Sequence, residues 1–144
     1  MNLDDIKLTA LDRIKTSGGD VMHGMRNTDP GYAGFGEAYF SLVSAGAVKG
    51  WKRHKKMTMN LLVPFGKVKF VFRVVEPNNR NNFRVEEIGI DRYMRITVPP
   101  GIWFAFQGLF GGESLILNLA NISHDPAEIE RLDIFEIDYT KTLI

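Results

Sequence analysis

The feature that most constrains the fold of this chain is a series of short alternating segments separated by glycine and proline. In the clearest of them, residues 61–75 (LLVPFGKVKFVFRVV), Val and Phe alternate with polar residues over the second half. Alternation with a period of two places successive side chains on opposite faces of a β-strand. Similar segments lie at 36–43 (GEAYFSLV), 83–90 (FRVEEIGI), 93–98 (YMRITV) and 113–122 (ESLILNLANI). Many short strands with frequent turn signals predict an all-β sandwich or barrel.

Helix signals are concentrated in one segment, 125–133 (DPAEIERLD). Asp125 stands at a plausible N-cap position, and acidic residues follow in the first turn. We therefore predict one short C-terminal helix at about 125–133. The 144 residues of the chain are the length of one ordinary domain. We expect a single domain over 1–144, with a barrel core at about 31–123.

Composition narrows the class of protein further. The chain has no cysteine, which excludes thiolate chemistry and cysteine-ligated zinc and gives no sign of a disulfide-stabilised scaffold. Acidic residues occupy the N-terminus, where a secretory signal peptide has basic ones, and no apolar run approaches the roughly 18 residues needed to span a bilayer. We therefore expect a cytoplasmic protein with no membrane partner.

A basic run, KGWKRHKKM at Lys49–Met57, holds five of the 18 Lys and Arg residues of the chain. Such a run could neutralise the phosphates of a nucleic acid. The formal net charge of the whole chain is only +1, and its pI of about 8.0 lies below the value near 9 that is typical of nucleic-acid-binding domains. We therefore expect no nucleic-acid partner, and the run is better interpreted as a strand that carries functional side chains.

Two partial motifs in the sequence resemble those of cupin β-barrels. The first cupin motif has a glycine, His-x-His, an acidic residue and a second glycine; here Gly50 and Gly66 keep the spacing, but His54 is the one metal ligand retained. In the second motif Pro-x-Gly is followed by a histidine, and after the Pro-Pro-Gly of residues 99–101 this chain has Phe104 in its place. A transition-metal site needs about three converging protein ligands. We therefore expect a cupin barrel with no metal ion and no cofactor.

These segments and their surroundings resemble the dTDP-4-dehydrorhamnose 3,5-epimerase family and its relatives among nucleotide-sugar-modifying, RmlC-like cupins. The resemblance extends over roughly residues 31–133 and rests on GFGEAYFSLV, GAVKGWKRH, LLVPFGKVKFVF, ITVPPGIWFAFQGL and ANISHDP. It implies a double-stranded β-helix, or jelly roll, that is usually a homodimer. It also implies a chemistry without metal, in which a proton is abstracted next to the C4 ketone of a sugar nucleotide.

The turn that carries the catalytic histidine in this family has a partial counterpart here. The related 3,4-ketoisomerases have Arg-Gly-x-His-x-His-Lys, and residues 49–55 read KGWKRHK, so His54 matches the second histidine and Lys52 replaces the first. The helper lysine and the tyrosine of the epimerases fall near Asn60 and Asn118. The family also takes an acidic partner for its histidine from a C-terminal segment, and the sequence alone identifies no counterpart.

We predict three catalytic residues: His54, Lys52 and Tyr39. His54 and Lys52 share one face of a strand, and an imidazole with an ordinary pKa near 6.5 can both accept and return a proton near neutral pH. Lys52 would stabilise the enolate, and Tyr39 could donate its phenolic proton to the substrate. The alternatives are a solvated strand end for the two basic residues and a place at the edge of the core for the tyrosine.

Six further residues are predicted to bind the substrate. Phe35 and Glu37 resemble the contacts that the epimerase family makes to the nucleotide base, where an aromatic ring stacks and an acid accepts a hydrogen bond. Lys49 would hold the diphosphate.

The remaining three have two interpretations each. Asn60 and Asn118 could bind sugar hydroxyls or satisfy backbone groups of the barrel. Trp103 could stack on a sugar or base, or belong to the core. His124 could act as an acid, but a role in the conformation of its loop is an equal alternative.

These residues lead to one prediction of function and one alternative. We predict an epimerase or isomerase without metal that acts on a nucleotide sugar, an NDP-4-keto-deoxysugar, in surface-polysaccharide biosynthesis. The alternative is a non-catalytic cupin that binds a sugar nucleotide or carbohydrate, which the loss of the first histidine, the helper lysine and the tyrosine favours. The retained Glu37 and His54 favour the enzyme.

Overall fold

The computed structural model describes residues 2–137 and 139, and more of them lie in antiparallel β-strands than in any other regular structure. The strands are β1 (Lys7–Ala10), β2 (Arg13–Ile14), β3 (Val21–Met22), β4 (Glu37–Val43), β5 (Val48–His54), β6 (Met59–Phe65), β7 (Lys67–Val75), β8 (Asn81–Gly89), β9 (Met94–Val98), β10 (Trp103–Gly108), β11 (Ser114–Ala120) and β12 (Ile129–Arg131). Short turns of 3-10 helix lie at Leu3–Asp5, Pro126–Glu128 and Ile134–Glu136. Within the described part of the chain, no helix is long and apolar enough to cross a membrane.

Two five-stranded sheets form the body of the fold. One has the strand order β1-β9-β6-β11-β4 and the other β12-β5-β10-β7-β8, while β2 and β3 form a separate two-stranded sheet. The pairings within both large sheets are antiparallel. From β4 onward the chain crosses repeatedly between the two sheets, as in a jelly roll. The all-β, cupin-type architecture predicted from the sequence is confirmed.

The core lies between the two large sheets and is filled by one face of each strand. On β7, Val68, Phe70 and Phe72 are fully buried, because the period-two pattern of that segment puts its large apolar residues on one side. Met59 and Leu61 of β6 belong to the same cluster and come from the other sheet. A buried phenylalanine of this kind stabilises the folded state by about 3–5 kcal/mol relative to alanine.

The alternating segment 61–75 forms parts of two strands, with Gly66 between them. Gly66 has a φ of 85°, and a side chain at this position would collide with Ser114 of β11. The hydroxyl of Ser114 accepts a hydrogen bond from the backbone N–H of Lys67 and donates one to its carbonyl oxygen, both at 3.1 Å. Glycine is therefore required where the chain passes from one sheet to the other.

The helix predicted at about 125–133 is wrong. Asp125 does cap a turn, accepting a hydrogen bond from the backbone N–H of Ala127 at 3.0 Å, but this is a 3-10 turn of three residues. Residues Ile129–Arg131 then form β12, which pairs antiparallel with β5. An open sheet edge presents a row of unpaired backbone groups. Pairing with that edge satisfies the backbone of this segment, whereas a short helix would be marginal.

Strands β1 and β12 join the sheets from outside the predicted core of about 31–123. β1 pairs with β9 at one edge of the first sheet, and β12 covers β5 at one edge of the second. Arg84 holds the N-terminal turn, because its Nη1 donates to the carbonyl oxygens of Leu3 at 2.9 Å and Ile6 at 3.0 Å. The C-terminal strand has the larger consequence, since it brings residues beyond 123 to the interior of the barrel.

Candidate active site

A cavity of about 320 Å³ lies between the two sheets, beside β5 and β12. Its volume falls in the range of small-molecule sites, about 300–1,000 Å³. Its wall combines apolar residues of the core with a few polar ones from several strands. The polar and charged side chains in the wall are Tyr39, Ser41, Lys49, Lys52, His54, Asn118 and Arg131. An apolar cavity with a small number of convergent polar groups is the usual composition of a ligand site.

Lys52 and His54 share one face of β5, as the alternation of the strand predicts, and both line the cavity. The alternate residues Trp51 and Arg53 direct their side chains to the opposite face of β5. There the indole of Trp51 is buried in a second apolar cluster, and the guanidinium of Arg53 bonds to Glu130. The alternation of the strand therefore separates the basic run into two groups with different surroundings.

A β-bulge in β5 sets the direction of these side chains. Opposite β10, the pairing register skips one residue of β5, so that Trp51 is the extra residue. Gly50 is required beside it, because its φ is 141° and a Cβ at this position would lie 2.6 Å from the Cβ of Ala105. The glycine of the basic run therefore has a structural role in aiming the side chains that follow it.

The imidazole of His54 is held by the carboxylate of Glu128. The two residues are only 3% and 2% exposed. Nδ1 of His54 lies 2.9 Å from Oε1 and 3.2 Å from Oε2 of Glu128, and the backbone N–H of Lys55 donates to Oε2 at 3.1 Å. A carboxylate at Nδ1 assigns the proton of the neutral ring to Nδ1 and leaves Nε2 as the basic nitrogen. This arrangement suits a histidine that accepts a proton.

Burial lowers the pKa of His54 below its ordinary value, because the buried site disfavours the charged imidazolium. The hydrogen bond and the negative charge of Glu128 oppose this shift, whereas the nearby positive charge of Lys52 adds to it. The ring is therefore neutral at pH 7, which is the form that a general base requires.

Glu128 is a residue of the site that the sequence did not reveal. It falls inside the segment predicted to be helical, where it would be a solvated acid of the first turn. In the structure it directly precedes β12, and the pairing of Ile129 with His54 brings its carboxylate onto the imidazole. The signal that could have found it is the acidic partner that the family takes from a C-terminal segment, but that signal specifies no position.

Tyr39 and Asn118 are cross-strand partners in the β4–β11 pairing, and both line the cavity. Nδ2 of Asn118 donates to the phenolic oxygen of Tyr39 at 2.9 Å, and Oδ1 of Asn118 accepts from the backbone N–H of Asn60 at 3.0 Å. The proton of the phenol has only the weak acceptor Sδ of Met57, at 3.9 Å, among the described residues. Burial raises the pKa of Tyr39, so the phenol stays protonated and can donate.

Three cations line the cavity: Lys49, Lys52 and Arg131. Nζ of Lys49 donates to the backbone oxygen of Leu42 at 2.9 Å. Lys52 is half-buried, and burial lowers the pKa of its ammonium group, with a further lowering by the positive charges of Arg131 and Lys49. A wall with this charge favours anionic groups in the cavity. An enolate oxygen is one such group.

Comparison with known proteins relates this architecture to that of solved structures. The sequence matches no protein-family model, and no curated protein matches it significantly. Solved structures do match: a dTDP sugar isomerase from Desulfovibrio desulfuricans G20 is 32% identical, the match covers 89% of this chain and 83% of that one, and the TM-score is 0.84. The chain belongs to the RmlC-like cupin family.

Two more distant structures share the RmlC-like cupin fold. QdtA, a sugar 3,4-ketoisomerase from Thermoanaerobacterium thermosaccharolyticum in complex with TDP, is 20% identical, with 99% of this chain and 98% of that chain covered and a TM-score of 0.77. The dTDP-4-dehydrorhamnose 3,5-epimerase from Sulfolobus tokodaii is 19% identical, with 96% and 83% covered and a TM-score of 0.81. The structural neighbours of this RmlC-like cupin are thus dTDP-sugar isomerases, ketoisomerases and epimerases.

Asn60 lies outside the cavity wall of this cupin and is buried. Its Oδ1 accepts hydrogen bonds from Nε of Arg95, at 3.2 Å, and from the hydroxyl of Thr97, while its Nδ2 donates to the carbonyl oxygen of Gly31 at 3.1 Å. The buried guanidinium of Arg95 also donates to backbone oxygens in the segment 24–30. The amide of Asn60 is used within the barrel, so its geometry favours the structural one of its two interpretations.

Three other predicted binding residues lie away from the cavity wall. Trp103 is buried in the second apolar cluster, with the guanidinium carbon of Arg53 4.7 Å from its ring centre, so its geometry favours the core role. Phe35 is 65% exposed in the segment before β4. Glu37 accepts a hydrogen bond from the backbone N–H of His124 at 2.9 Å and thereby holds the loop after β11.

The structure therefore brings a subset of the predicted residues to one cavity and adds two others. The predicted residues in the wall are His54, Lys52, Tyr39, Lys49 and Asn118; Arg131 joins them in the wall, and Glu128 contacts the imidazole of His54. No group of three His, Asp or Glu side chains in the described residues could hold a metal ion. The groups of this site that can transfer protons or stabilise charge include its imidazole, its phenol and its cations.

Proposed function

We propose that this RmlC-like cupin is an epimerase or isomerase that acts on an NDP-4-keto-deoxysugar. The observation that carries the proposal is the buried His54–Glu128 pair at a cavity that also holds Tyr39 and Lys52. Proton abstraction next to a ketone requires a base, a proton donor and a group that stabilises the oxyanion, and these residues supply all three. The fold shared with a dTDP sugar isomerase, at 32% identity, supports a nucleotide sugar as the substrate.

The reaction begins when Nε2 of His54 removes a proton from a carbon next to the C4 ketone. The electron pair of the broken C–H bond moves onto the ketone oxygen, and the ammonium group of Lys52 stabilises the resulting enolate. Glu128 stabilises the imidazolium that forms and keeps the ring oriented. In an epimerisation, a proton then returns to the same carbon from the opposite face, and the phenol of Tyr39 provides it.

A ketoisomerisation would use the same groups, but the proton would be added to a different carbon. His54 removes the proton from C3, and the O3 hydroxyl passes its proton to the enolate oxygen at C4. The resulting enediolate is protonated at C4, so that the ketone is at C3 and the hydroxyl group is at C4. Both reactions start from the same enolate, and the residues of the cavity serve either one.

The second candidate function is binding of a sugar nucleotide without turnover. The observation that favours it is the replacement of three residues of the family pattern, by Lys52, Asn60 and Asn118. Asn60 is used within the barrel, so a helper side chain is missing from the cavity wall at that point. The contact between Nδ1 of His54 and Glu128, at 2.9 Å, favours the enzyme instead.

Proton exchange in D2O separates the two functions. The protein is incubated with a dTDP-4-keto-6-deoxy sugar, and deuterium incorporation at C3 and C5 is followed by NMR. We expect exchange by the wild type and a loss of at least about hundredfold in His54→Asn, because general acid–base catalysis contributes about 10²–10⁴-fold. His23→Asn is the matched control, since His23 lies outside the cavity wall.

The remaining outcomes each have a meaning. Tight binding of the sugar nucleotide without exchange would establish the binding protein. The absence of both binding and deuterium exchange would refute the substrate class. Equal exchange by the wild type and His54→Asn would remove His54 as the base.

We also propose that residues 1–144 form a single domain that works as a homodimer in the cytoplasm, in surface-polysaccharide synthesis, without a nucleic-acid or membrane partner. The support for a dimer is β4, an edge strand whose residues Phe40 and Leu42 are 63% and 53% exposed. Association through this strand would bury apolar surface and protect an open sheet edge. Sedimentation of the protein at micromolar concentration as a monomer would contradict the dimer.

A further inference from the structure

The side-chain amide of Asn118 has a fixed orientation. It is buried, and its Oδ1 accepts a hydrogen bond from the backbone N–H of Asn60 at 3.0 Å. Since a backbone N–H can only donate, the oxygen of the amide must face it, and the NH2 group must face the other way. That group donates to the phenolic oxygen of Tyr39 at 2.9 Å and lies 3.6 Å from Sδ of Met57. The amide therefore directs its donors at the phenol and its neighbour.

The hydrogen bond between Asn118 and Tyr39 also has a fixed direction. The phenolic oxygen is the acceptor, so the phenolic proton is available to a different partner. Among the described residues that proton has the weak acceptor Sδ of Met57, at 3.9 Å. Because Tyr39 lines the cavity, a reacting group of a bound ligand is a stronger acceptor than this sulfur.

We propose that Asn118 is a positioning residue that makes Tyr39 the proton donor of the site. The inference rests on the proposed function, because it takes the phenol to be the acid of that reaction. When the O–H bond breaks, the proton goes to the carbon next to the ketone, and the electron pair stays on the phenolate oxygen. The N–H of Asn118 binds that anion more strongly than it binds the neutral phenol, so it stabilises the product of the transfer. A proton from solvent then restores the phenol.

This role differs from both interpretations that the sequence allows for Asn118. Donation to a sugar hydroxyl would need an N–H group of the amide, and these are directed at Tyr39 and Met57. Support of the barrel backbone needs only Oδ1, which the N–H of Asn60 already uses. Neither interpretation accounts for the bond to the phenol.

The pKa of Tyr39 tests this bond without any substrate. It is measured by NMR titration of the protein labelled at Cζ of tyrosine, with the signal identified by its loss in Tyr39→Phe. We expect Asn118→Leu to raise that pKa, because the phenolate loses its N–H donor while the volume of the side chain is kept. Asn121→Leu is the matched control and should leave the pKa unchanged. Oδ1 of Asn121 also accepts from a backbone N–H, that of Thr58 at 2.7 Å, but its side chain lies outside the cavity wall.

Charged groups on several elements also act on the phenol. Burial raises the pKa of Tyr39, the hydrogen bond from Asn118 lowers it, and the negative charges of Glu37 and Glu128 raise it. The other charged or titratable side chains that face the same cavity are Lys49, Lys52, His54 and Arg131. All of these residues are unchanged in Asn118→Leu, so a higher pKa in that variant reports the lost donor.

Asn118→Asp tests the role of the amide in turnover. At about pH 8 the new carboxylate still accepts from the N–H of Asn60, but it replaces the donor to Tyr39 by an acceptor that draws the phenolic proton away from the cavity. We expect the kcat for product formation from a dTDP-4-keto-6-deoxy sugar to fall at least about tenfold, with KM changed by less than about threefold. Deuterium exchange into the substrate should persist, because His54 can remove and return a proton on one face without the phenol. Asn121→Asp should change neither rate.

A double-mutant cycle shows whether Asn118 acts through the phenol. In the Tyr39→Phe background, Asn118→Asp should lower kcat by less than about threefold, because the group that it would disturb is absent. An equal loss of kcat in both backgrounds would overturn the inference. An equal pKa of Tyr39 in the wild type and in folded Asn118→Leu would overturn it as well. If Asn118→Leu does not fold, Asn118→Asp carries the test, since it keeps the acceptor for the N–H of Asn60.

Failure of the proposed function would give a different result. A raised pKa of Tyr39 in Asn118→Leu, together with neither product nor deuterium exchange from the keto sugar, would retain the orientation of the phenol and reject the enzyme. Product formation by the wild type with an unchanged kcat in Asn118→Asp would retain the enzyme and reject the role of Asn118.

Discussion

Both faces of β5 carry polar side chains, but these have different surroundings on the two faces. On the outer face, Nε1 of Trp51 donates to the backbone oxygens of Ile134 and Ile137, at 3.3 and 3.2 Å. The guanidinium of Arg53 forms two hydrogen bonds with Glu130, at 3.1 and 2.8 Å. These polar groups find their partners within the protein. The outer face of β5 is therefore structural.

On the inner face, Lys52 and His54 point into a cavity instead. His54 has a carboxylate partner, whereas Lys52 faces two other cations. A basic run of one composition is thus divided by the alternation of a strand into a half that holds the protein together and a half that is available to a ligand. The charge count of the run alone does not distinguish these two halves.

The contacts of the outer face also position the residues of the inner face. Trp51 exchanges backbone hydrogen bonds with Leu132, at 3.0 and 3.1 Å, and the ion pair of Arg53 lies beside them. These contacts hold β12 against β5. Because β12 contains Arg131 and follows Glu128, the structural face positions the groups that complete the inner one.

Of the substitutions on the outer face of β5, Trp51→Ala should have the largest effect on stability. We expect a loss of about 3–5 kcal/mol in the free energy of unfolding, because a large buried side chain is replaced by a cavity. Deuterium exchange into the sugar should fall as well, since the C-terminal segment loses its anchor. Urea denaturation monitored by circular dichroism measures the first effect.

Trp51→Phe is the control for that substitution, because it keeps most of the apolar volume and removes the indole donor. It should cost less stability than Trp51→Ala. A loss below about 1 kcal/mol in Trp51→Ala, the level of an ordinary surface change, would show that this anchor is unimportant.

Glu128→Gln tests the role of the inner face of β5. We expect kcat/KM to fall at least about tenfold, because the carboxylate that fixes the ring and stabilises the imidazolium is lost. The carboxylate raises the pKa of His54, so its removal lowers that pKa. His54 then remains unprotonated to lower pH, and the acid limb of the pH profile of kcat/KM moves to lower pH.

The pH profile separates this role from a merely structural one. A loss of stability without movement of the acid limb would mean that Glu128 supports the fold and does not act through His54. In the wild type, burial should place that limb below the ordinary histidine pKa of about 6.5.

Arg53→Met should have the smallest effect. Its ion pair with Glu130 is about one-third exposed, so we expect a loss of about 0.5–1 kcal/mol in the free energy of unfolding. The kcat should change by less than about threefold, because the backbone pairing of β12 remains and holds the site together. A double-mutant cycle with Glu130→Gln measures the pair. A hundredfold fall in kcat would contradict the structural assignment of this face.

Part of this fold follows from local pattern. The alternation in 61–75 and 113–122 predicts strands, and β6, β7 and β11 lie there. The same alternation predicts that Lys52 and His54 share a face. The segment 125–133 shows the limit of such reasoning, because a correct cap signal was followed by a strand that forms only when β5 is available as a partner.

The placement of the predicted binding residues shows the same limit. Asn60 and Asn118 occur at comparable positions of two neighbouring strands, yet only Asn118 lines the cavity. The side chain of Asn60 is instead recruited by Arg95, which belongs to a strand more than 30 residues further along. Which polar residue faces a ligand depends on strand register, and propensity does not specify register.

The sequence by itself determined that this chain is β-rich and that its basic run presents Lys52 and His54 together, because the period of side chains along a strand is a local property. The tertiary structure alone decided that Glu128 and Arg131 join them. Glu128 lies 74 residues from His54 in the chain, and the contact arises from the pairing of β12 with the edge of β5. Such pairing is a competition among distant segments for one sheet edge, so no local pattern encodes it.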